Sequence, residues 1–131
     1  MSKPLALIIE DEADLAEIYS KALQGGGFET ETIRDGKKAL EHLASASPNV
    51  IILDLHLPHV GGASILQHIR SNERLSKIAV IVTTADERQA EELHGQADLV
   101  LLKPVSLSQL RELANRVAKF QSPDQNLVDS S

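Results

Sequence analysis

Three carboxylates, a hydroxyl and an ammonium stand where four apolar runs end: Glu10-Asp11, Asp54, Thr84 and Lys103-Pro104. They lie up to 93 positions apart, so they can act together only in a fold that gathers strand ends on one rim. If Glu10, Asp11 and Asp54 meet there, they carry −3, and Lys103 brings the sum to −2. Each like-charge pair at about 4 Å costs roughly 4 kcal/mol at an effective dielectric of 20, so without a cation one carboxylate is expected to keep its proton. A divalent cation brings the sum to zero. An all-oxygen donor set without cysteine favours magnesium over zinc, and magnesium keeps several waters and accepts phosphate oxygens. In such a pocket Asp54 can attack phosphorus as a carboxylate nucleophile. Lys103 and the Thr84 hydroxyl then stabilise the equatorial oxygens of the transferring group, and the product is an aspartyl phosphate.

The elements that must position these residues are legible as five aliphatic runs alternating with five helical patterns, the signature of a parallel sheet covered on both faces. Strands are predicted over Leu5 to Ile9, Phe28 to Ile33, Val50 to Leu53, Ala79 to Thr83 and Leu99 to Leu102. The first, third, fourth and fifth are continuous apolar runs, as expected of strands buried on both faces, whereas Glu29-Thr30-Glu31-Thr32 reads as an edge. The first helix presents Leu15, Ile18, Tyr19 and Ala22 to the sheet and stops in Gly25-Gly26-Gly27. The second (Gly36 to Ala44) presents Ala39, Leu40 and Leu43, and the third (Ala63 to Arg70) presents Ile65, Leu66 and Ile69. Between Asp86 and His94 only Ala90 and Leu93 are clearly apolar, which predicts a short fourth helix. The fifth starts at the capping-box pattern Ser106-Leu-Ser-Gln109, continues with Leu110, Leu113, Ala114, Val117 and Phe120, and ends before Pro123. The remaining polar segment reads as a tail or linker stub, so that residues 4–120 form the domain and 121–131 the tail.

Composition narrows the function further. With 131 residues, 42% of them hydrophobic, the chain suits one domain. Thirteen basic against nineteen acidic side chains give a net charge of −6, with no basic cluster longer than Lys37-Lys38, which argues against a grip on a nucleic-acid backbone. No cysteine means no disulfide, thiolate metal site or thiol nucleophile. No run approaches the roughly 20 apolar residues of a membrane span, and no secretory signal opens the chain, so it reads as cytoplasmic. Tyr19, Phe28 and Phe120 are too few aromatics for a stacking platform for bases or flavins.

Glu10-Asp11, Asp54 with Pro58 and Gly62, Thr84-Ala85 and Lys103-Pro104 together resemble the receiver domains of two-component response regulators, the CheY-like superfamily, over about residues 4 to 120. The 30-residue interval from Asp54 to Thr84 is typical of that family, and Asp35-Gly36 followed by Ala39-Leu40 resembles the start of its second helix. The resemblance implies a flavodoxin-like, doubly wound five-stranded parallel sheet of order 2-1-3-4-5 with five helices, an order for which a receiver is itself a standard illustration. It also implies that Asp54 is phosphorylated by a histidine kinase or histidine phosphotransfer protein. Glu10, Asp11, Asp54 and the backbone carbonyl of His56 would hold Mg2+. Phosphorylation would switch affinity for a downstream protein, with no appended DNA-binding domain and no direct contact with nucleic acid or membrane; the oligomeric state is left open, with the helix 4 to helix 5 face as one option for a dimer. As a phosphoacceptor signalling domain the chain would not be an enzyme beyond its own phosphorylation and dephosphorylation.

The sequence departs from the family at several places. Val100 replaces the aromatic residue usual three positions before the lysine, which removes ring rotation from the switch. Thr84 to Lys103 is 19 residues, shorter than in many relatives, in keeping with the thin fourth helix. Gln96 replaces a frequent glycine and Leu57 a frequent methionine, while His56 and Asp86 occupy positions that influence attack of water on the phosphate.

Other chemistries are weaker. His56-x-x-His59 has metal-binding spacing, but Pro58 intervenes and no third ligand is near, so both read as solvated loop histidines. His42, His68 and His94 fall on exposed helix positions, and no hydrolase triad is legible. A flavin phosphate after the first strand would meet Glu10-Asp11-Glu12, and a phosphatase would want a second acid where His56 stands. The main alternatives are a receiver-like module that works without phosphorylation, suggested by Val100 and the thin fourth helix, and a receiver excised from a larger regulator or hybrid kinase, suggested by the polar tail.

Overall fold

Apolar runs rich in β-branched residues form the centre of the sheet. The computed structural model describes residues 3–121, with side chains through Ala118, and the elements run β1 (Leu5–Ile9), α1 (Ala13–Gly25), β2 (Glu29–Ile33), α2 (Gly36–Leu43), β3 (Val50–Asp54), α3 (Gly62–Ser71), β4 (Ala79–Thr84), α4 (Glu87–Glu92), β5 (Leu99–Leu102) and α5 (Leu107–Gln121). Every strand pair is parallel, in the order β2-β1-β3-β4-β5, with Ile9 opposite Ile33 on one side and Leu53 on the other, and Asp54 opposite Thr83. The Phe120 side chain and the predicted stop at Pro123 with its tail lie outside the described residues.

Alternation along the strands sends side chains to two cores. Leu7, Ile9, Ile51, Leu53, Val80 and Val82 meet Ala39 and Leu43 of α2 and Ile65, Leu66 and Ile69 of α3. On the other face Ala6, Ile8, Val50, Ile52, Ala79 and Ile81 meet Tyr19 and Leu23 of α1 and Leu110 and Ala114 of α5. The crossover changes face between β1 and β3, the switch point at which a doubly wound sheet opens a crevice at its carboxyl rim.

Three expectations are corrected. β5 is not buried on both faces: its residues are partly exposed and Leu102 is 44% exposed, because it is the second edge, paired only with β4, and the six-residue α4 covers it with no buried side chain. Ile18 is 42% exposed. The buried stripe of α1 is Ala16, Tyr19 and Leu23, with Leu15 and Ala22 at its margins. Finally, Phe28 is buried ahead of β2, and β2 starts at Glu29. The short α4 and the edge position of β2 stand as expected. So does the start of α5, where the Gln109 N–H donates to Ser106 Oγ at 3.3 Å.

Candidate functional site

The four strand ends converge. Glu10 follows β1 and is 1% exposed. Its Oε2 accepts the Glu12 N–H at 3.2 Å, and its own N–H donates to the Ile33 carbonyl at 3.0 Å. Asp54, the last residue of β3, is 2% exposed, and its Oδ1 accepts the His56 N–H at 3.2 Å. Asp11, next to Glu10, completes an acidic group in which one carboxylate oxygen from each of Glu10, Asp11 and Asp54 lies within 4.8 Å of the others. Lys103 reaches in from the end of β5, its Nζ 3.2 Å from Glu10 Oε1 and 3.4 Å from Asp54 Oδ1. Its N–H donates to the Thr84 carbonyl at 2.9 Å, and the Lys103–Pro104 peptide is cis.

Electrostatics follow from that crowding. Burial, with Asp54 beside it, pushes the Glu10 carboxyl from its usual 4.5 up to about 7, although the Glu12 N–H and Lys103 pull the other way. When no cation balances the charge, Glu10 therefore keeps its proton more readily than an ordinary glutamate. Burial alone would lower the Lys103 ammonium, but the Asp54 and Glu10 carboxylates outweigh it and hold the group above its ordinary range. The donor set suits a hard divalent cation: three carboxylates from the carboxyl ends of two adjacent strands, all oxygen, with a residual formal charge of −2.

Thr84 ends β4 at 5% exposure, and its Oγ1 accepts the Asp86 N–H at 3.0 Å. Asp86 in turn caps α4, its Oδ1 accepting the Arg88 and Gln89 N–H groups at 2.9 and 3.3 Å. A cleft of about 410 Å³ opens over Asp54, His56, Thr84, Ala85 and Lys103. A second, of about 610 Å³, opens over Asp11, Glu12, Asp54, His56 and Pro58. The buried carboxylate of Asp54 thus faces both an acidic mouth and a hydroxyl-lined one. Gly62 lets the start of α3 sit on the end of β3, since a Cβ there would overlap the Asp54 carbonyl oxygen.

Some contacts around the site carried no sequence signal. His59 does not stand as a plain solvated loop histidine: although 69% exposed, its Nδ1 pairs with Asp35 Oδ2 at 2.5 Å, and its φ is 68°. His42, only partly exposed, pairs with Glu31 at 3.2 Å. Arg34 Nε donates to the Asp11 carbonyl at 3.2 Å. Each pair links residues at least 11 positions apart, beyond the reach of motif spacing. Val100 is partly buried and, like Leu93, packs against the core that holds Ala97. Among the described residues, no helix is long and apolar enough to cross a membrane.

The response regulator receiver domain family matches residues 6–115 of this chain. Among curated proteins, it is 30% identical to the regulatory protein AtoC of Escherichia coli over 88% of this chain and 25% of AtoC. It is also 30% identical to the transcriptional regulatory protein PrrA of Mycobacterium leprae, over 84% of this chain and 48% of PrrA. The chain thus spans a quarter to a half of the length of these two relatives. Among solved structures, the receiver domain of the Francisella response regulator 1452 superposes with a TM-score of 0.81 at 27% identity, covering 91% of this chain and 99% of that one. The sheet order and the match across nearly all of the described residues agree: this chain belongs to the CheY-like receiver domain family of two-component response regulators.

Proposed function

We propose that Asp54 accepts a phosphoryl group from a phosphohistidine of a histidine kinase or phosphotransfer protein, and that the modification changes the affinity of the chain for a protein partner. The observation that carries this reading is the position of Asp54, buried at the floor of the clefts with Lys103 Nζ 3.4 Å from its Oδ1. The His56 N–H also falls on Oδ1, which leaves Oδ2 to attack phosphorus. The new Oδ2–P bond forms as the P–N bond breaks, and the electron pair of that bond returns to the departing imidazole. Lys103 balances the charge gathering on the phosphoryl oxygens. The Thr84 hydroxyl accepts from Asp86, which leaves its own hydrogen to donate to one of those oxygens. Glu10, Asp11, Asp54 and the His56 carbonyl would hold Mg2+, which when bound supplies positive charge for the carboxylates and a Lewis-acidic partner for a phosphoryl oxygen.

Incubation with magnesium and acetyl phosphate, followed by intact mass, tests the assignment. One added phosphoryl group on the wild type and none on Asp54→Ala is the expected result. No gain with magnesium still bound would favour the alternative, a module that binds its partner without phosphorylation, which Val100 and the six-residue α4 support.

A further inference from the structure

We infer that the turn closing β2, residues 33–36, is a positioning bracket for the acidic centre, holding the two loops that carry its ligands although it contributes none itself. The inference rests on the magnesium reading above. Four consecutive residues each touch one of those loops. The Ile33 carbonyl accepts the Glu10 N–H at 3.0 Å, and Arg34 Nε donates to the Asp11 carbonyl at 3.2 Å. Asp35 Oδ2 pairs with His59 Nδ1 at 2.5 Å, and Gly36 packs so closely under Val60 that a Cβ would overlap its carbonyl oxygen. Ile33 and Arg34 thus fix the loop after β1, and Asp35 and Gly36 fix the loop after β3.

Helix capping alone does not account for this arrangement. An N-cap needs one side-chain oxygen, and Asp35 uses Oδ1 for it, accepting the Lys37 and Lys38 N–H groups at 2.8 and 3.1 Å. Oδ2 is committed separately, to a residue 24 positions away. His59 is held there at φ 68°, a conformation uncommon outside glycine, three residues after the His56 carbonyl. Magnesium demands near-ideal octahedral geometry at roughly 2.0–2.1 Å, so sub-ångström drift of either loop costs affinity. Arg34 and His59 are positioning residues in this scheme: their loss spreads the resting geometry, and saturating cation restores it.

The test is calorimetric titration of the full chain with MgCl2, for wild type, Arg34→Gln, His59→Gly and Asp35→Ser. Glycine accepts the positive φ while removing the ring. Serine still caps α2 but is too short to reach His59. Each variant is expected to weaken magnesium binding about three- to tenfold, less than the 10–100-fold typical of groups bonded directly to a ligand's donor side chain. The double variant Asp35→Ser/His59→Gly should be no weaker than the worse of its singles, since both remove one contact. At saturating magnesium the rate of phosphorylation by acetyl phosphate should return to within about twofold of wild type, and because bound magnesium would also rescue a loosened fold, urea denaturation in EDTA should show each variant folded under the titration conditions. Variants with wild-type magnesium affinity, or with a rate defect that saturating magnesium does not relieve, would overturn the bracket. A wild type that binds no magnesium would overturn the site reading itself, and the bracket with it.

Discussion

The Lys103 ammonium stands 3.2 Å from the Glu10 carboxylate, a pair joined across 93 positions of chain by the adjacency of strand ends. Lys103 is the counter-charge to the acids in the resting site, and the proposed function gives it a second role as stabiliser of the transferring group. Lys103→Met separates them. Removing the ammonium takes a positive charge away from the acids, so at a pH where Glu10 is ionised magnesium should bind at least as tightly as to wild type. Phosphorylation by acetyl phosphate should slow by roughly 100-fold, the scale of losing one donor to a developing oxyanion. A time course of intact mass at saturating magnesium reads the rate. An unchanged rate would reduce Lys103 to a counter-charge.

Glu10 gives the site a pH dependence whose sign is fixed. Its carboxyl is pushed up to about 7 in the folded chain by burial and by Asp54, against 4.5 ordinarily. The unfolded chain thus releases this proton first as pH rises. The stability associated with the group is complete below about 4.5 and is lost as pH climbs through about 7, by at most roughly 3.5 kcal/mol at about 1.4 kcal/mol per unit. Urea denaturation in EDTA between pH 5 and 8 should show wild type losing stability relative to Glu10→Gln across this window. With magnesium the slope reverses in the binding constant, since cation and proton compete for the same carboxylate and affinity should rise with pH. Parallel pH profiles for the two proteins would sink the assignment of the proton to Glu10.

What the sequence made legible was what strands and strand ends carry. Glu10, Asp54, Thr84 and Lys103 each close an apolar run, and a parallel sheet delivers such residues to one rim whatever their separation. Edge status was half legible. Glu29-Thr30-Glu31-Thr32 advertises exposure by its polarity, but Leu99-Val-Leu-Leu102 looks the same at an edge as in the centre, because only a missing neighbour distinguishes them. The inward face of α1 was ambiguous since Leu15, Ile18 and Ala22 compete with Ala16, Tyr19 and Leu23 for one stripe, and the second set has the large residues deepest. Arg34 with Asp11, and Asp35 with His59, depend on the β1–β2 register and on the path of the loop after β3, which no local spacing encodes.

Thr83 sits opposite Asp54 in the sheet, fully buried, and its Oγ1 has no hydrogen-bond partner among the described residues. A buried hydroxyl left without a partner costs about 1–3 kcal/mol. Thr83→Val keeps the β-branched shape and replaces the hydroxyl by a methyl, so the variant should be more stable than wild type by about 1 kcal/mol in urea denaturation. Magnesium affinity should not change. A loss of stability would mean that the hydroxyl is bonded in solution.

The opposite rim offers a control for every prediction about the site. Arg70, from the end of α3, donates Nε to the Gln96 carbonyl at 2.6 Å and Nη1 to the Ser76 and Ile78 carbonyls at 3.1 and 2.8 Å. Its Nη2 lies 2.9 Å from Asp98 Oδ2, which also accepts the Val80 N–H at 2.7 Å. One guanidinium thus fastens the segments that enter β4 and β5, where three carbonyls would otherwise lose a partner. Arg70→Met keeps the aliphatic stem but abandons those acceptors and leaves Asp98 without this cation, so a loss of about 2–4 kcal/mol in unfolding free energy is expected. Because these contacts lie at the amino ends of the strands and the acidic centre at the carboxyl ends, magnesium affinity should stay within about twofold of wild type under conditions where the variant is folded. A marked loss of magnesium binding in folded Arg70→Met would show that the two rims are coupled. Weakened binding in the site variants could then no longer be assigned to local geometry alone.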